Sequence, residues 1–418
     1  MLKKIPDSLY DLAFQFKETR LWKKLWDSEL FAVKLDDGSI GYCCVMGKNG
    51  EHTALAVYLG DAGLDSYRAI ADADCIMDNC EMDERGLRQD CVSVSFDTRE
   101  FIHPITWDEM GEYCARRGIV RRGAMKLPNF ERMKPYRSIW YITDEKDAAY
   151  IRAGLEAALE VSERLKTATP KLLGFSQEAP FNRSIPLLTK TETGYTWSSI
   201  MLSPHRTIQD YPEGHIDEFT LMRLKKVKKT GHTWSVRIFS SPEPISIEEL
   251  ESDGRMEAPV FPFILMAADE TDQRVLDVAV CQDADEASFN ESFTSRFVKQ
   301  ILDEGKPAKL IAEGERAEDF FTDICDQLDI QIELSDDGDT LNDAVDHFIA
   351  EMEGDELPDD LDMDEEIQQL MRLLKDPDDC RKIPNAFLRQ LSRLASMGIF
   401  PEEAAELIQR EMQRRGLQ

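Results

Sequence analysis

Two adjacent cysteines in the stretch GYCCVMGKNGEH, residues 41–52, are the first side chains that could bind a metal or form a disulfide. Neighbouring residues of a β-strand point to opposite faces of the sheet, so Cys43 and Cys44 cannot both bind one ion from a regular strand. Free cysteine packs as a small hydrophobic residue. The pair therefore predicts ordinary strand packing, followed by a turn at Gly50 and a new strand at His52.

A looser group of cysteines follows at Cys75, Cys80 and Cys91. A gap such as CIMDNC can hold zinc when a second tight pair of ligands completes the site. The sequence supplies one loose pair instead of two tight ones, so buried thiols are expected and no metal site is favoured. These three cysteines remain the weak alternative.

Carboxylates end two apolar stretches, FILMAADE and AKLIAEGE, at Asp269 and Glu313. Ligands of open α/β sheets lie at the carboxyl ends of the strands. Together with Glu291 on the intervening predicted helix, these residues would suit a ribonuclease-H-like site, in which clustered carboxylates hold two Mg²⁺ ions about 4 Å apart. The region from 243 to 366 contains 39 acidic residues, so acids at strand ends are also expected by chance.

Two basic runs could bind an anion. Their candidate anion-binding residues are Arg116, Arg117, Arg121, Arg122, Lys126, Lys225 and Lys226. Such charge binds phosphate backbones, and the aromatic residues nearby, among them Phe130 and Trp140, could stack on unpaired bases. The alternative is that the runs dock against acidic surface of the same chain or of a second copy, or are simply solvated. Nucleic acid is therefore a possible partner and not a required one.

Several motifs are missing from the sequence. It has no GxxxxGK[ST] or GxGxxG phosphate loop, and neither a GxSxG elbow nor an HExxH helix occurs. These motifs carry the phosphate cradle, the activated serine and the zinc ligands of common enzymes. Nucleotide-dependent and hydrolytic enzyme classes are therefore disfavoured.

Charge is distributed unevenly along the 418 residues, which have a formal net charge of −31. Residues 243–366 hold 39 acidic and 7 basic residues, so the rest of the chain is close to neutral. The nine cysteines form no dense even framework, which indicates reduced thiols. No stretch approaches the run of about 20 apolar residues that crosses a bilayer. The sequence predicts a cytoplasmic protein with no membrane partner.

Hydrophobic periodicity predicts an α+β fold with several domains. An antiparallel meander with helices is expected first, with Asp-Gly and Asn-Gly turns between its first strands. A second, α/β domain should consist of a hairpin followed by strand–helix repeats, and EFTLMRLKKV reads as a strand before it. The predicted divisions are an N-terminal α+β domain at 1–170, a proline-punctuated connector with a β-meander at 171–250, an acidic α/β domain at 251–352, an acidic linker at 353–366 and a helical tail at 367–418.

The segment LFAVKLDDGSIGYCCVMGKNGEHTALAVYLG, followed by QDCVSVSFDTRE, resembles the N-terminal domain of a family of uncharacterised bacterial proteins. The segment from RVLDVAVC to TLNDAVDHF resembles the second domain often joined to it. Together the two cover roughly two-thirds of the chain, by pattern and not by any diagnostic motif. The resemblance implies the domain layout and a bacterial cytosol, and it brings no activity with it.

The charge layout favours a binding or adaptor protein that recognises a partner, expected to be a protein, through charged surfaces and performs no chemistry. No cofactor is expected. Two alternatives remain open: a Mg²⁺-dependent nuclease that uses Asp269, Glu291 and Glu313, and an acidic mimic of nucleic acid.

Overall fold

The chain divides into two compact units, Met1–Val345 and Asp346–Gln418. The predicted acidic linker 353–366 lies outside the described residues, and so does nearly all of the predicted tail 367–418. The computed structural model describes residues 2–50, 52–71, 86–122, 124–177, 183–202, 212–246, 256–283 and 285–352, with isolated residues at 407, 409–410 and 412–414.

The first sheet has eight strands in the order β6-β5-β4-β3-β2-β1-β7-β8. Neighbours are antiparallel except for β1 and β7, which run parallel. Gly38 and Gly50 occupy the two predicted turns with positive φ, a conformation that glycine adopts readily. The strands are β1 (Phe31–Lys34), β2 (Ile40–Met46), β3 (Ala54–Leu59), β4 (Cys91–Asp97), β5 (Leu127–Met133), β6 (Trp140–Tyr141), β7 (Ser184–Thr191) and β8 (Gly194–Met201).

Helices cover both faces of this sheet. The first helices of the chain are α1 (Asp7–Thr19), α2 (Gly60–Ala71), α3 (Pro104–Arg117) and α4 (Glu145–Arg164). Residues of α1, α3 and α4 join one face of the sheet in a large core, and residues of α2 join the other face in a smaller one. Cys43 belongs to the first core and Cys44 to the second, which confirms ordinary strand packing for the pair.

Gly154 lets α4 lie close against the sheet. A Cβ atom at this position would come within 2.4 Å of Cγ2 of Val57 on β3, so even alanine would force the helix away. Asp144 caps the helix through the N–H of Lys146, which satisfies one of the free donors at a helix start.

The second sheet has the order β11-β10-β9-β12-β13. Strand β9 runs parallel to β12, which runs parallel to β13, whereas β10 and β11 form an antiparallel hairpin beside β9. The strands are β9 (Thr233–Ser240), β10 (Phe263–Asp269), β11 (Arg274–Cys281), β12 (Lys309–Glu313) and β13 (Gln331–Leu334). The hairpin and the following strand–helix repeats agree with the predicted α/β layout, and the α+β class is confirmed.

The helices of the second sheet supply many aromatic residues to one of its faces. Phe289, Phe293 and Phe297 from one helical stretch meet Phe320 and Phe321 from the next in a single core. The helices are α5 (Glu218–Leu224), α6 (Glu286–Phe289), which continues through a π-turn at Asn290–Thr294 into α7 (Ser295–Glu304), then α8 (Glu315–Leu328) and α9 (Asp339–Met352).

One segment was misread in the sequence. EFTLMRLKKV was expected to be a strand, but Glu218–Leu224 is a helix that Asp217 caps through the N–H groups of Phe219 and Thr220. The N-cap aspartate outweighed the β-propensity of the residues that follow. The strands expected in one meander are divided: β8, paired with β7 from the proline-punctuated stretch, extends the first sheet, and β9 is the middle strand of the second.

A ladder of backbone bonds joins the two sheets within the first unit. The N–H of Ser138 donates to the carbonyl of Pro259 at 2.8 Å, and the N–H of Phe261 donates to the carbonyl of Tyr136 at 2.9 Å. The ring of Tyr136 also packs edge-on against Phe263, with centroids 4.5 Å apart. The segment that leads into β6 is therefore held by the segment that leads into β10.

Among the helices of the described part of the chain, none is both long enough and apolar enough to cross a membrane.

Candidate functional site

A cleft of about 340 Å³ opens beside the edge of the first sheet formed by β5 and β6. It lies between these strands and the segment that connects β4 to α3. Its volume is within the range of small-molecule sites. The lining residues are Arg99, Glu100, Phe101, Ile102, His103, Pro104, Asn129, Glu131, Ile139, Trp140 and Tyr141.

Strand register builds the polar floor of this cleft. In the β4–β5 pair, Ser95 lies opposite Asn129 and Ser93 opposite Glu131. Because paired residues share a face and alternate residues return to it, these side chains and that of Asp97 lie on one face. The intervening Val94 and Phe130 enter the large core on the other face. The alternation of Ser93, Ser95 and Asp97 with Val92, Val94 and Phe96 on β4 thus separates a polar surface from an apolar one.

The amide of Asn129 holds two carboxylates together. Its Nδ2 lies 2.9 Å from Oε1 of Glu131 and 3.3 Å from both Oδ2 of Asp97 and the carbonyl of Phe101. Ser95 Oγ donates to Asp97 and lies 3.5 Å from Oε2 of Glu131. Asn129 and Ser95 are almost fully buried, so the packing around them fixes the position of the two carboxylates.

Burial raises the pKa of Glu131 to about 7, and the nearby negative charge of Asp97 adds to the effect. The hydrogen bonds from Asn129 and Ser95 oppose it and are outweighed. At neutral pH this carboxyl group therefore exists in both protonation states, a property that concentrates at functional sites.

Aromatic rings form one wall of the cleft. The ring centroid of His103 lies 5.1 Å from Trp140 and 4.6 Å from Tyr141, and Trp140 stacks on Tyr141 at 5.3 Å. Nδ1 of His103 accepts the N–H of Ile105 at 3.3 Å and so caps α3, which places the ring proton on Nε2. Burial lowers the pKa of His103, so this ring is neutral at pH 7.

The second sheet holds the aromatic wall in place. Nε1 of Trp140 donates to the carbonyl of Met256 at 2.8 Å, and the N–H of Met256 donates to the hydroxyl of Tyr141 at 3.1 Å. Both bonds come from the segment that leads into β10. The cleft is therefore completed by contacts between the two sheets.

A second polar group lies at the start of β9. Nδ1 of His232 is 2.7 Å from Oδ2 of Asp269 and 3.8 Å from Oδ2 of Asp272. Burial would raise the pKa of Asp269, but the bond to His232 and the N–H groups of Asp272 and Thr271 together lower it. The bond to Asp269 raises the pKa of His232.

His232, Asp269 and Asp272 are the group among the described residues that could hold a metal, since their ligand atoms lie within 4.8 Å of one another. Imidazole and carboxylate are ligands of zinc. Their arrangement is, however, already explained by the ion pair and by the turn in which Oδ1 of Asp269 accepts two backbone N–H groups.

The structure does not bring Asp269, Glu291 and Glu313 together. Asp269 lies opposite Trp234, whereas Glu313 lies opposite Arg237, three residues further along β9. Residues three apart on a strand point to opposite faces, so the two carboxylates are separated by the sheet. Glu291 is exposed on the π-turn.

Glu270, the acid that follows Asp269 at the same strand end, shares a face with Glu313 and caps a helix. Its carboxylate accepts the N–H groups of Thr340 at 2.9 Å and Leu341 at 3.2 Å and so caps α9. Among the described residues Oε1 of Glu313 has no hydrogen-bond partner, and burial, which outweighs nearby Arg237, raises the pKa of Glu313 to about 7.

Comparison with protein families gives two matches, to a domain of unknown function (DUF7309) over residues 7–183 and to another (DUF6930) over residues 220–349. The chain joins two domains of unknown function. No curated protein and no solved structure matches it. The floor of the cleft belongs to the DUF7309 domain, and Met256, which holds its wall, belongs to the DUF6930 domain.

The predicted anion-binding residues divide into those that already have a partner within the chain and the remaining exposed ones. Arg116 bonds to Asp7 at 2.6 Å and Arg117 to Asp11, so both pair with α1 of the same domain and not with the acidic DUF6930 domain. Arg121 stacks on Trp107 at 4.4 Å from the ring centre. The remaining candidates, Arg122, Lys126, Lys225 and Lys226, are exposed.

The predicted cysteine group is only partly described. Cys75 and Cys80 lie outside the described residues. Cys91 is a buried thiol on β4, 3.6 Å from the sulfur of Met133, and burial raises its pKa to about 12. A thiol of that kind is largely protonated at neutral pH, which is the state of an inert structural cysteine.

Sequence reasoning missed the floor of the cleft. Asp97, Asn129 and Glu131 are polar residues within strands, and the sequence places Asp97 more than 30 positions before the other two. The signal available in the sequence was the polar residues at alternate positions of β4 and β5. It indicates a site only once the pairing of those strands is known.

Proposed function

We propose that this is a cytoplasmic binding protein that performs no chemistry of its own, and that the cleft of the DUF7309 domain holds its ligand. The observation that supports this proposal is the carboxyl group of Glu131, partly buried in an aromatic-walled cavity, with a pKa close to neutral. A concave pocket in which a few polar groups and a perturbed carboxyl converge is the usual form of a binding site.

Binding is favoured over catalysis because the polar groups of the cleft bond to one another. Ser95 donates to Asp97, and Asn129 bridges Asp97 and Glu131. Nδ1 of His103 is engaged in capping α3, so this ring is not oriented as the base of a nucleophile. A cytoplasmic location is supported by Cys43, Cys44, Cys91, Cys114, Cys281 and Cys325, which within the described residues are buried free thiols.

The experiment is a fluorine-detected fragment screen against the full chain, with a set that contains amines, carboxylates, sugars and nucleosides. Ile139, 57% exposed on the lining of the cleft, becomes tryptophan to obstruct it. Val120, 72% exposed and not part of the lining, becomes tryptophan as the matched control. We expect fragments whose signals change with the native chain and with V120W but not with I139W. Fragment binding that I139W leaves unaltered, or no binding at all, contradicts the proposal.

A second candidate is recognition of a basic protein by the acidic DUF6930 domain, as an adaptor or a mimic of nucleic acid. Helix α8 favours it, because its buried face is apolar whereas its outer face is acidic. The exposed acids of that face are Glu315, Asp319, Asp323 and Asp326. Binding of a fluorescent lysine-rich peptide should weaken when the four become Gln or Asn, and added DNA should compete with the protein for the peptide. Peptide binding that survives this substitution contradicts the candidate.

A further inference from the structure

We infer that the ligand of the cleft carries a positive charge, as an organic ammonium or guanidinium group. The inference rests on the proposed function and names the class of its ligand. It is carried by the unused hydrogen-bonding capacity of Glu131, the charge balance around it and the aromatic wall.

Glu131 has room for another donor. A carboxylate offers about four acceptor positions, and Oε1 receives one N–H from Asn129. Within the part of the chain that the structure describes, Oε2 has only the 3.5 Å contact with Ser95, whose hydroxyl proton is directed to Asp97. Asn129 and Ser95 are neutral, so the negative charge of Glu131 is hydrogen-bonded but not compensated. A partly buried carboxylate of this kind is stabilised by a cation.

The other charged groups at the cleft do not supply that cation. The guanidinium of Arg99 lies over the ring of Trp107, 5.0 Å from its centre, and donates to the carbonyl of Ile102 at 3.1 Å. Glu100 adds a negative charge and accepts from Thr98 at 2.8 Å. His103 is neutral at pH 7 because burial lowers its pKa. Among the described residues at the cleft, the carboxyl groups of Asp97, Glu100 and Glu131 therefore outnumber the guanidinium of Arg99.

The wall and the rim fit an alkylammonium group. Trp140, Tyr141 and His103 present aromatic surface, which attracts cations through the electron-rich ring faces. At the lining, Phe101 is 70% exposed and Ile139 is 57% exposed, so both can cover an aliphatic stem. An anion would meet two carboxylates, and an uncharged ligand would leave the charge of Glu131 uncompensated.

Three probes of one shape test the inference: isopentylammonium, isopentanol and isovalerate. We follow their binding by calorimetry and by the indole ¹⁵N signal of Trp140, assigned with Trp140→Phe. The ammonium should bind at least about tenfold more tightly than the alcohol, a factor that corresponds to about 1.4 kcal/mol. Isovalerate should not bind. Glu131→Gln should remove the preference, whereas Glu145→Gln, an equal loss of charge at an exposed position on α4, should retain it.

Proton release gives a second readout. The groups facing Glu131 are Asp97 on β4, Tyr141 on β6, and Arg99, Glu100 and His103 on the connecting segment. A bound cation lowers the pKa of Glu131, so at pH 7 the ammonium should release a fraction of one proton. The heat of binding should then differ between phosphate and Tris buffers, and the difference should vanish in Glu131→Gln. If that variant does not fold, Asp97→Asn should reduce the affinity in its place.

The outcomes separate the two proposals. If isopentanol or isovalerate binds as tightly as the ammonium and I139W abolishes that binding, the cleft is a binding site and the charge inference is wrong. If no probe and no fragment perturbs the cleft, the proposed function itself fails. A peptide with one central lysine, compared with its norleucine analogue, distinguishes a protein side chain from a free amine as the source of the cation. Tighter binding of the lysine peptide supports a side chain, and preference for isopentylammonium over isopentanol with equal binding of the two peptides supports a free amine. No preference for the charged member of either set contradicts the inference.

Discussion

Glu131 in the DUF7309 domain and Asp269 in the DUF6930 domain are carboxylates of strands in the two sheets, and burial acts on both. Their pKa values nevertheless move in opposite directions. Asp269 has an imidazole at 2.7 Å and two backbone N–H groups, whereas Glu131 has a neutral amide and a second carboxylate nearby. The comparison indicates that the partners of a carboxylate, acting together with its burial, decide the direction in which its pKa moves.

The largest effect is expected at Asp269. Asp269→Ala removes the acceptor of His232, Thr271 and Asp272 at a position that is 1% exposed. Loss of these bonds should lower the free energy of unfolding by about 3 kcal/mol, in the range for breaking buried charge-assisted bonds. Urea denaturation at pH 7 measures it. A loss below about 0.5 kcal/mol, typical of an exposed pair, would remove the contrast between the two carboxylates.

Glu131→Gln should change the free energy of unfolding in the opposite direction. The pKa of Glu131 is raised in the folded state, so its contribution to stability is complete below the unfolded value of about 4.3 and is lost as pH rises through about 7. At pH 8.5 the glutamine variant should be more stable than the native chain by about 2 kcal/mol. The difference should shrink to zero near pH 4.5. Denaturation curves across this range test the sign, and a glutamine variant that is less stable at pH 8.5 refutes it.

Glu313 adds a third carboxylate to the comparison, one that burial affects as it does Glu131 but that has an arginine nearby. Its pKa is also raised to about 7 by burial, but Arg237 opposes the shift. The variant Glu313→Gln should again gain stability at pH 8.5, by about 2 kcal/mol, because the folded pKa of Glu313, which already includes the opposing effect of Arg237, is raised as far as that of Glu131. Arg237→Gln should move the titration of Glu313 to higher pH. Carboxyl ¹³C shifts followed with pH report both changes, and an unchanged titration in Arg237→Gln would exclude the arginine as a cause.

The smallest effect concerns His232. Its raised pKa means that its contribution is present below the unfolded value of about 6.5 and is lost as pH rises through the folded value. The lowered pKa of Asp269 determines how stability changes at acid pH, because its contribution to stability is lost as pH falls below about 3.9. His232→Gln should therefore remove the pH dependence on the alkaline side and weaken it on the acid side, because the bond to His232 is one of those that lower the pKa of Asp269. An unchanged acid side would show that the two residues do not act as a pair.

The sequence predicted the strands and turns better than it predicted which face of a sheet each side chain occupies. The turns at Gly38 and Gly50 and the adjacent Cys43 and Cys44 located the first strands, because turn chemistry and alternation are local properties. Asp269 and Glu313 also lie at strand ends as expected. Whether two carboxylates converge depends on which strands pair and in which register. A shift of one residue in the register reverses the face on which a side chain lies. The sequence alone could therefore not show that Asp269 and Glu313 lie on opposite faces, or that Asp97 lies beside Glu131.

The parallel pairing of β1 with β7 has a consequence for how the chain is made. Strand β1 ends at Lys34 and its partner begins at Ser184, so roughly 150 residues emerge from the ribosome before this edge is closed. Until then β1 offers unpaired amides to any neighbouring chain, the usual start of strand-to-strand aggregation. A fragment cut at residue 183, where the DUF7309 match ends, would retain that open edge permanently. A soluble fragment should therefore extend through β8.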